Sequence, residues 1–341
     1  MRVALDAQLT VGTATGIGEY VRGLAAALRG RDVDVVELRD PRYDPWRFDR
    51  RALWDQIVLP RRARASGAAL LHCAAGTMPA AAAMPIVVTV HDLAWHRVQA
   101  HAPAYARYYF GAFSFRRYRR AAAILVDSDF TRGELLALAP DLDEARVRVV
   151  YPGVADDFCR LERGDGDRTT ILAVGTVERR KNLEVLVRAL AQLAGARLIA
   201  IGPLTPYARE CEVLARELGV GERVEIRGYV AREELLALYR RCAVAAVPSV
   251  YEGFGYAVAQ ALCAGVPCVV SERSSLPEIA GGDARIADAA DPGAWAAALA
   301  RAMQGEDDES ARGSRDAAIA RFSWETSARG VERAYAESIN R

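Results

Sequence analysis

Residues 245–281 read AAVPSVYEGFGYAVAQALCAGVPCVVSERSSLPEIAG. The apolar run Ala243 to Val247 has the length of a strand, and Pro248 and Ser249 end it. A loop follows with two glycines and a single acid, Glu252-Gly253-Phe254-Gly255. Tyr256 to Ala264 reads as a short helix closed by Gly265, and Val266 to Val270 as a second buried strand. Strand, glycine loop and helix start together make a ready anion site. First-turn N–H groups lack partners within the helix, and the helix dipole favours negative charge there. Glycines let a ligand approach the backbone closely. A phosphate would repel Glu252, so the role expected of that acid is to accept hydrogen bonds from neutral hydroxyls. Backbone suited to phosphate beside an acid suited to hydroxyls points to a sugar nucleotide.

The same alternation continues on both sides of this stretch. Upstream come a strand over Thr170 to Val174, a loop Gly175 to Asn182 (GTVERRKN) and a helix over Leu183 to Leu193. Strands over Arg197 to Ile201 and 223–227 alternate with helices over 207–218 and 232–241. Downstream, helices are expected over 291–304, Ala311 to Arg321 and Trp324 to Ile339, with an acidic loop from Glu306 to Ser310. This is the pattern of a doubly wound α/β domain. The first part of the chain repeats it. Strands are expected over Arg2 to Leu9, Val33 to Leu38, Leu70 to Cys73, Ile86 to Val90, Ala122 to Ser128 and Arg146 to Val150. A Gly/Thr loop, Val11 to Gly18, precedes a helix over Glu19 to Leu28, and Ser128 or Asp129 caps a helix from Thr131 to Leu138. Arg160 to Asp167 (RLERGDGD) has the composition of a linker, which gives domains over 1–163 and 164–322 followed by a final helix over 323–341.

Bulk properties narrow the function. The chain has 341 residues, 52% of them hydrophobic, and a net charge of +1. Residues 1–163 carry 23 Arg against 19 Asp+Glu (+4) and the rest 22 basic against 25 acidic residues (−3). That balance gives no reason to expect nucleic acid. Cys73, Cys159, Cys211, Cys242, Cys263 and Cys268 lack metal-ligand spacing and read as small buried hydrophobes of a reducing compartment. The start, MRVALDAQL, is a strand without signal-peptide layout, and the Ala-rich 67–90 region is broken by His72, Pro79 and Pro85. A cytoplasmic protein is expected, with an option of peripheral contact at the inner face of the membrane. Among 45 Lys+Arg the only lysine is Lys181. It lies in Glu178-Arg179-Arg180-Lys181-Asn182, between a strand and a helix. Three cations at a helix start are unfavourable unless an anion binds there. An ammonium has a reach and geometry that a guanidinium does not reproduce.

Other features carry two readings each. Gly16-Ile17-Gly18 is either a tight turn or a backbone approach to a diphosphate; with Gly23 it misses the dinucleotide spacing. Asp44 to Arg64, with six arginines, is either a solvated basic surface with a helix near Arg51 to Leu59 or an acceptor-side patch. His91 stands beyond the carboxyl end of a strand, as a structural histidine or a ligand-binding one. Pro103 to Arg120 (PAYARYYFGAFSFRRYRR) reads as a core helix with snorkelling arginines or as contact with an anionic membrane or lipid-linked acceptor.

GIGEYVRGL, VHDL, ILAVGTVERRKNLEVLVRALA and the run from GYVAREELLALYRR to SSLPEIAG together resemble the retaining glycosyltransferase family 4. The likeness is greatest to its mannosyltransferase-like bacterial members, which build O-antigens and exopolysaccharides. The resemblance implies the α/β GT-B fold: two Rossmann-like doubly wound domains facing across a cleft, with the last helix returning to the N-terminal one. It implies that Lys181 and Arg180 neutralise the donor diphosphate and that Glu252, the first acid of the E-x7-E motif, binds hydroxyls of the transferred sugar. Phe254, Gly255 and Tyr256 match the loop that touches sugar and phosphate. Gly16 and Gly18 match the N-terminal loop over the diphosphate, and His91 the histidine near the reacting carbon. The segment Gly228 to Val230 matches the one against which the base packs, so Val230 is a donor contact. Two positions depart from the pattern. Gln260 stands where the second acid of the motif holds the ribose. Thr176 follows Gly175 where relatives place Arg, leaving Arg179 or Arg180 to compensate.

The implied reaction transfers a hexose, mannose favoured, from a nucleoside-diphosphate sugar, GDP-mannose first, to a carbohydrate or lipid-linked acceptor. Lys and Arg can neutralise the leaving group, and no metal is expected. Two other functions remain open. One is a catalytically silent member of the family acting as a scaffold, suggested by Gln260. The other is a nicotinamide-dependent oxidoreductase using Gly16-x-Gly18 with Glu37 on the ribose.

Overall fold

The computed structural model describes residues 1–12, 16–97, 105, 108–164, 167, 169–282, 284–304 and 308–340. Parts of four expected features lie outside them: the Val11 to Gly18 loop, the 103–120 aromatic stretch, the polar link and the acidic loop. The chain forms two compact units, Met1–Gly153 with Ser323–Arg341, and Val154–Phe322.

Unit 1 holds β1 (Arg2–Asp6), β2 (Asp34–Leu38), β3 (Leu70–Cys73), β4 (Ile86–Val90), β5 (Ala123–Val126) and β6 (Val147–Val149), in the order β2-β1-β3-β4-β5-β6. All pairs are parallel. β3, β4 and β5 are buried on both faces, which is why they read as unbroken apolar runs. The helix Gly16–Arg29 covers one face, with Tyr20, Val21, Leu24 and Leu28 in the core. The last helix, Trp324–Ile339, packs beside it against the same sheet and adds Ala328, Val331 and Tyr335 to that core. Ser323 caps it by accepting from the Thr326 N–H. Its entry depends on two glycines. A Cβ at Gly23 would fall 2.2 Å from the Trp324 ring, and one at Gly153 would fall 2.4 Å from it.

Unit 2 holds β7 (Thr170–Val174), β8 (Arg197–Ile201), β9 (Val224–Arg227), β10 (Val244–Val247), β11 (Cys268–Ser271) and β12 (Arg285–Ala287). The order is β12-β11-β10-β7-β8-β9, again wholly parallel. The direction of chain travel therefore reverses between β7 and β10. Ligands of open α/β sheets bind beyond the carboxyl ends of strands at such a reversal. Helices Leu183–Leu190, Pro206–Glu217 and Pro292–Met303 pack on one face.

Several expectations need correction. The division falls after Gly153, ten residues before the expected end at 163. The intervening segment already belongs to unit 2: Val154 N–H donates to Phe322 O (2.7 Å), Phe158 and Leu161 are buried, and Asp157 pairs with Arg232 (2.6 Å). The Asp44 to Arg64 region is not a uniformly solvated surface. Helical turns run from Phe48 to Ala65, longer than expected, and bury Trp54, Asp55 and Arg51. Ser128, not Asp129, caps the Asp129–Leu138 helix. Helix Asp308–Arg321 begins inside the expected acidic loop. Five of the six free cysteines are buried, Cys159 only half so.

Candidate functional site

In unit 2 the segments after β7 and β10 meet. β7 ends at Val174, and a short turn, Arg179–Lys181, follows. Asn182 holds a left-handed backbone (φ 54°) and its amide donates to Pro248 O (3.1 Å) and Ala289 O (2.9 Å). The Val250 N–H donates to Arg180 O (2.9 Å). These bonds bring the ERRKN turn against the loop that carries Glu252.

Glu252 is the centre of the cluster. Lys181 Nζ donates to its Oε1 (2.5 Å), Ser249 Oγ donates to the same oxygen (2.8 Å), and Arg180 Nη1 lies 3.3 Å from Oε2. Arg180 also donates to Tyr251 O (2.8 Å) and to Glu178 (2.8 Å). Burial pushes the Glu252 carboxyl up, but Lys181 and Arg180 more than offset it and hold the group below the usual range. The sequence assigned Glu252 to neutral hydroxyls alone. In the structure it is the counter-ion of the two cations.

Serines support this loop. Ser275 Oγ donates to Glu252 O (3.0 Å) and to Phe254 O (2.9 Å), the Glu252 N–H donates to Ser274 Oγ (2.9 Å), and Ser271 Oγ donates to Ser249 O (2.6 Å). Sequence reasoning passed over all of these, although Ser274-Ser275 lies within the quoted stretch. Gly255 starts the Tyr256–Cys263 helix with φ 95°, and a Cβ there would fall 2.8 Å from the Leu276 side chain, so only glycine fits. Phe254 is buried, edge-on to Tyr256 (5.3 Å) and Phe322 (5.7 Å).

Of the two arginines left open by sequence, Arg180 turns to Glu252. Arg179 is exposed, pairs with Glu210 (2.5 Å) and lies over the Tyr207 ring. Gln260 is half-buried and its Oε1 accepts from Tyr239 OH at 3.4 Å. Val230 lies beyond β9 on the same edge of the sheet, beside the exposed Tyr229. A cavity of about 520 Å³ opens past Asn182, between Val185, Val250, Arg273 and Pro292, and shares no lining side chain with the Glu252 cluster.

Unit 1 gathers the rest. Gly16 and Gly18 lie in the first turn of the Gly16–Arg29 helix, not in a loop, with Gly16 exposed and Gly18 buried. Tyr20 of that helix stands edge-on to the His91 ring (4.7 Å between centroids). His91 Nδ1 lies 2.6 Å from Asp127 Oδ2 and its Nε2 2.9 Å from Ala74 O. Sequence reasoning missed Asp127; its place directly after a strand was the available signal. Glu37, proposed above as a ribose acid, pairs with Arg29 (2.6 Å) on β2. Among the described residues no group of three or more His, Cys, Asp or Glu is placed to hold a metal ion.

Residues 14–158 match the family model described as Glycosyltransferase Family 4, and residues 161–319 the one described as Glycosyl transferases group 1. The D-inositol 3-phosphate glycosyltransferase of Xylanimonas cellulosilytica is 33% identical over 283 residues, 76% of this chain and 67% of the relative. That of Mycolicibacterium smegmatis is 32% identical over 219 residues, 60% of this chain and 50% of the relative. Several such matches span about half the length of the relative. Among solved structures, sucrose-phosphate synthase from Thermosynechococcus elongatus matches with a TM-score of 0.77 at 22% identity, covering 98% of each chain. Anabaena HepE, solved in complex with UDP, gives 0.72 at 16% identity, covering 98% of this chain and 100% of that one. With the two parallel sheets, these likenesses give the chain the two-domain α/β fold of the GT-B type.

Proposed function

Because the chain belongs to the glycosyltransferases, with a Family 4 model matching residues 14–158 and a group 1 model residues 161–319, we propose that it moves a hexosyl group from a nucleoside-diphosphate sugar to an acceptor hydroxyl with retention at the anomeric carbon. The observation that carries this reading is the convergence of Lys181 and Arg180 on Glu252 where the strand order of unit 2 reverses. A diphosphate entering there offers the two cations a better partner than one carboxylate. Glu252, once released, is free to accept from sugar hydroxyls, so its two roles belong to two states of the site. As the bond from the anomeric carbon to the diphosphate breaks, Lys181, Arg180 and the N–H groups at Gly255–Tyr256 stabilise the charge left on the leaving group. The acceptor oxygen bonds to the anomeric carbon from the same face, and its proton passes to a diphosphate oxygen.

Mannose from GDP-mannose is the favoured donor because the motifs resemble mannosyltransferase-like proteins. The UDP held by HepE makes UDP-sugars the next to try. The relatives named for D-inositol 3-phosphate suggest a polyol phosphate beside the carbohydrate and lipid-linked acceptors. Lys181 and Arg180 take the place of a divalent ion, so activity should survive a chelator. Peripheral membrane contact is proposed only for the exposed Tyr105 and Tyr108, since Tyr109, Arg117 and Tyr118 are buried. No described helix is long and apolar enough to cross a membrane.

A thermal-shift panel of GDP, UDP, ADP and dTDP tests the donor. At about 100 Kd a nucleotide should add about 2.7 kcal/mol of stability. A flat response to all four would sink the reading. Binding without release of nucleoside diphosphate in the presence of acceptors would favour a silent scaffold.

A further inference from the structure

We propose that His91 is held as an imidazolium with both ring protons committed to the protein, and that Asp127 is the positioning residue that keeps it charged. The charge state is read from the geometry around the ring; its use in sugar transfer rests on the function proposed above.

Three neighbouring strand ends meet at one ring. Ala74 directly follows β3, His91 follows β4, and Asp127 follows β5. The Ala74 carbonyl, 2.9 Å from Nε2, can only accept, so Nε2 carries hydrogen. On the other side Asp127 Oδ2 lies 2.6 Å from Nδ1. A carboxylate also only accepts, and an imidazole that donates from both nitrogens is a cation. Asp127 is buried, and among the described residues its Oδ1 has no hydrogen-bond partner and His91 is the one group it forms an ion pair with.

Burial raises the Asp127 carboxyl and the facing His91 ring pulls it part of the way back down, so the charged pair depends on the two groups holding each other. Burial alone would make the ring neutral, but Asp127, the Ala74 carbonyl and the adjacent Asp92 reverse this and raise its pKa above the ordinary value. His72, facing from β3, is pushed down to about 3 by burial and stays neutral between Tyr335 OH and Thr89 Oγ1. Tyr20, edge-on from the Gly16–Arg29 helix, is kept protonated by burial and the Asp127 charge. Tyr335, on the last helix, is likewise kept neutral by burial.

A ring in this state has no lone pair with which to take a proton. What it can bring to sugar transfer is a fixed positive charge, not proton exchange. Asp127→Asn keeps an acceptor for Nδ1–H and removes the charge that holds the proton.

Ring-nitrogen NMR of the wild-type protein, with His91 assigned by its loss in His91→Gln, reads the charge state without any substrate. Both nitrogens should show protonated-type shifts at neutral pH, with a midpoint above that of a free histidine. In Asp127→Asn the midpoint should fall, and kcat should gain a decline at that pH while the donor KM holds. Each unit of fall lowers the charged fraction about tenfold on the alkaline side. One unprotonated ring nitrogen in the wild type at neutral pH would overturn the proposal, because Asp127 would then hold the proton. Turnover by Asp127→Asn with a pH profile parallel to wild type would overturn the positioning role. If no form of the protein turns over any sugar nucleotide, the function proposed above fails, while the spectra still decide the state of the ring.

Discussion

The two units share an architecture and use its functional position differently. Unit 1 reverses its strand order between β1 and β3, and it fills that position from within. Asp6, the last residue of β1, accepts from Trp54 Nε1 (3.0 Å) and lies 3.6 Å from Arg51. Arg51 pairs with Asp55 (2.9 Å) and donates to Thr77 Oγ1 (2.7 Å), and Tyr109 OH donates to Asp55 (2.8 Å). Asp6, Arg51 and Asp55 are all buried. Unit 2 reverses between β7 and β10 and leaves Lys181 and Arg180 with 23% and 20% of their side chains exposed. A charged group at a strand-order reversal therefore does not by itself mark a ligand site. What matters is whether its charge is spent on the fold or can be exchanged.

The largest effect expected of breaking this contrast is on stability, in unit 1. Arg51→Ala leaves Asp6 and Asp55 buried without their cation, at a cost of about 3–5 kcal/mol. Denaturant unfolding followed by Trp fluorescence measures it, and a loss under about 1 kcal/mol would show that the cluster is not an interior brace. Lys181→Ala should do the opposite. Its stability should fall far less, because Arg180 still pairs with Glu252, while turnover falls about 10²–10³-fold and the shift produced by a nucleoside diphosphate shrinks. Unchanged turnover and nucleotide shift would remove Lys181 from the site.

The contrast was only half legible in sequence. Most strands of both sheets stood out because a parallel strand buried on both faces is an unbroken apolar run. β12 was missed: three residues that include Arg285, set behind the turn at Gly281 and Gly282, carry no such run. The unit boundary was missed because RLERGDGD is polar, yet Val154, Phe158 and Leu161 just before and within it are the buried anchors of unit 2. Lys181 stood out as the only lysine, and Glu252 as an acid in a glycine loop. Their pairing with each other was not readable, because it joins side chains on two separate loops. Arg51 and Asp55 looked like surface charge for the same reason, since their partner Asp6 is far away in sequence.

A smaller effect separates the acids by pH. Glu252 is held below its ordinary value in the fold, so its contribution is present above the unfolded value and disappears as pH falls through the folded one. Asp6 is pushed up by burial, against the pull of Arg51, so its contribution is present in acid and lost as pH rises through the folded value. Glu252→Gln should therefore lower Tm near neutral pH, and the gap to wild type should close in acid. A gap in Tm that widens on acidification would contradict the pairing of Glu252 with Lys181 and Arg180.

The smallest effect concerns Gln260, where the motif departs from its pattern inside the helix that Gly255 starts. Its side chain is half-buried, and its amide oxygen accepts from Tyr239, whose phenol is fully buried and stays protonated. Gln260→Glu keeps that acceptor and adds a charge. Hydrogen bonds from neutral hydroxyls to a charged acceptor are stronger than those to an amide, by about 1 kcal/mol. If position 260 meets the ribose, donor affinity should rise about fivefold with kcat little changed, because a ribose contact is made equally in the ground and transition states. Isothermal titration with the preferred nucleoside diphosphate, with the 2′-deoxy analogue as control, tests both points. An equal gain for the deoxy ligand would mean that the added charge acts through the Tyr239 contact and the loop, and that this protein holds its ribose elsewhere.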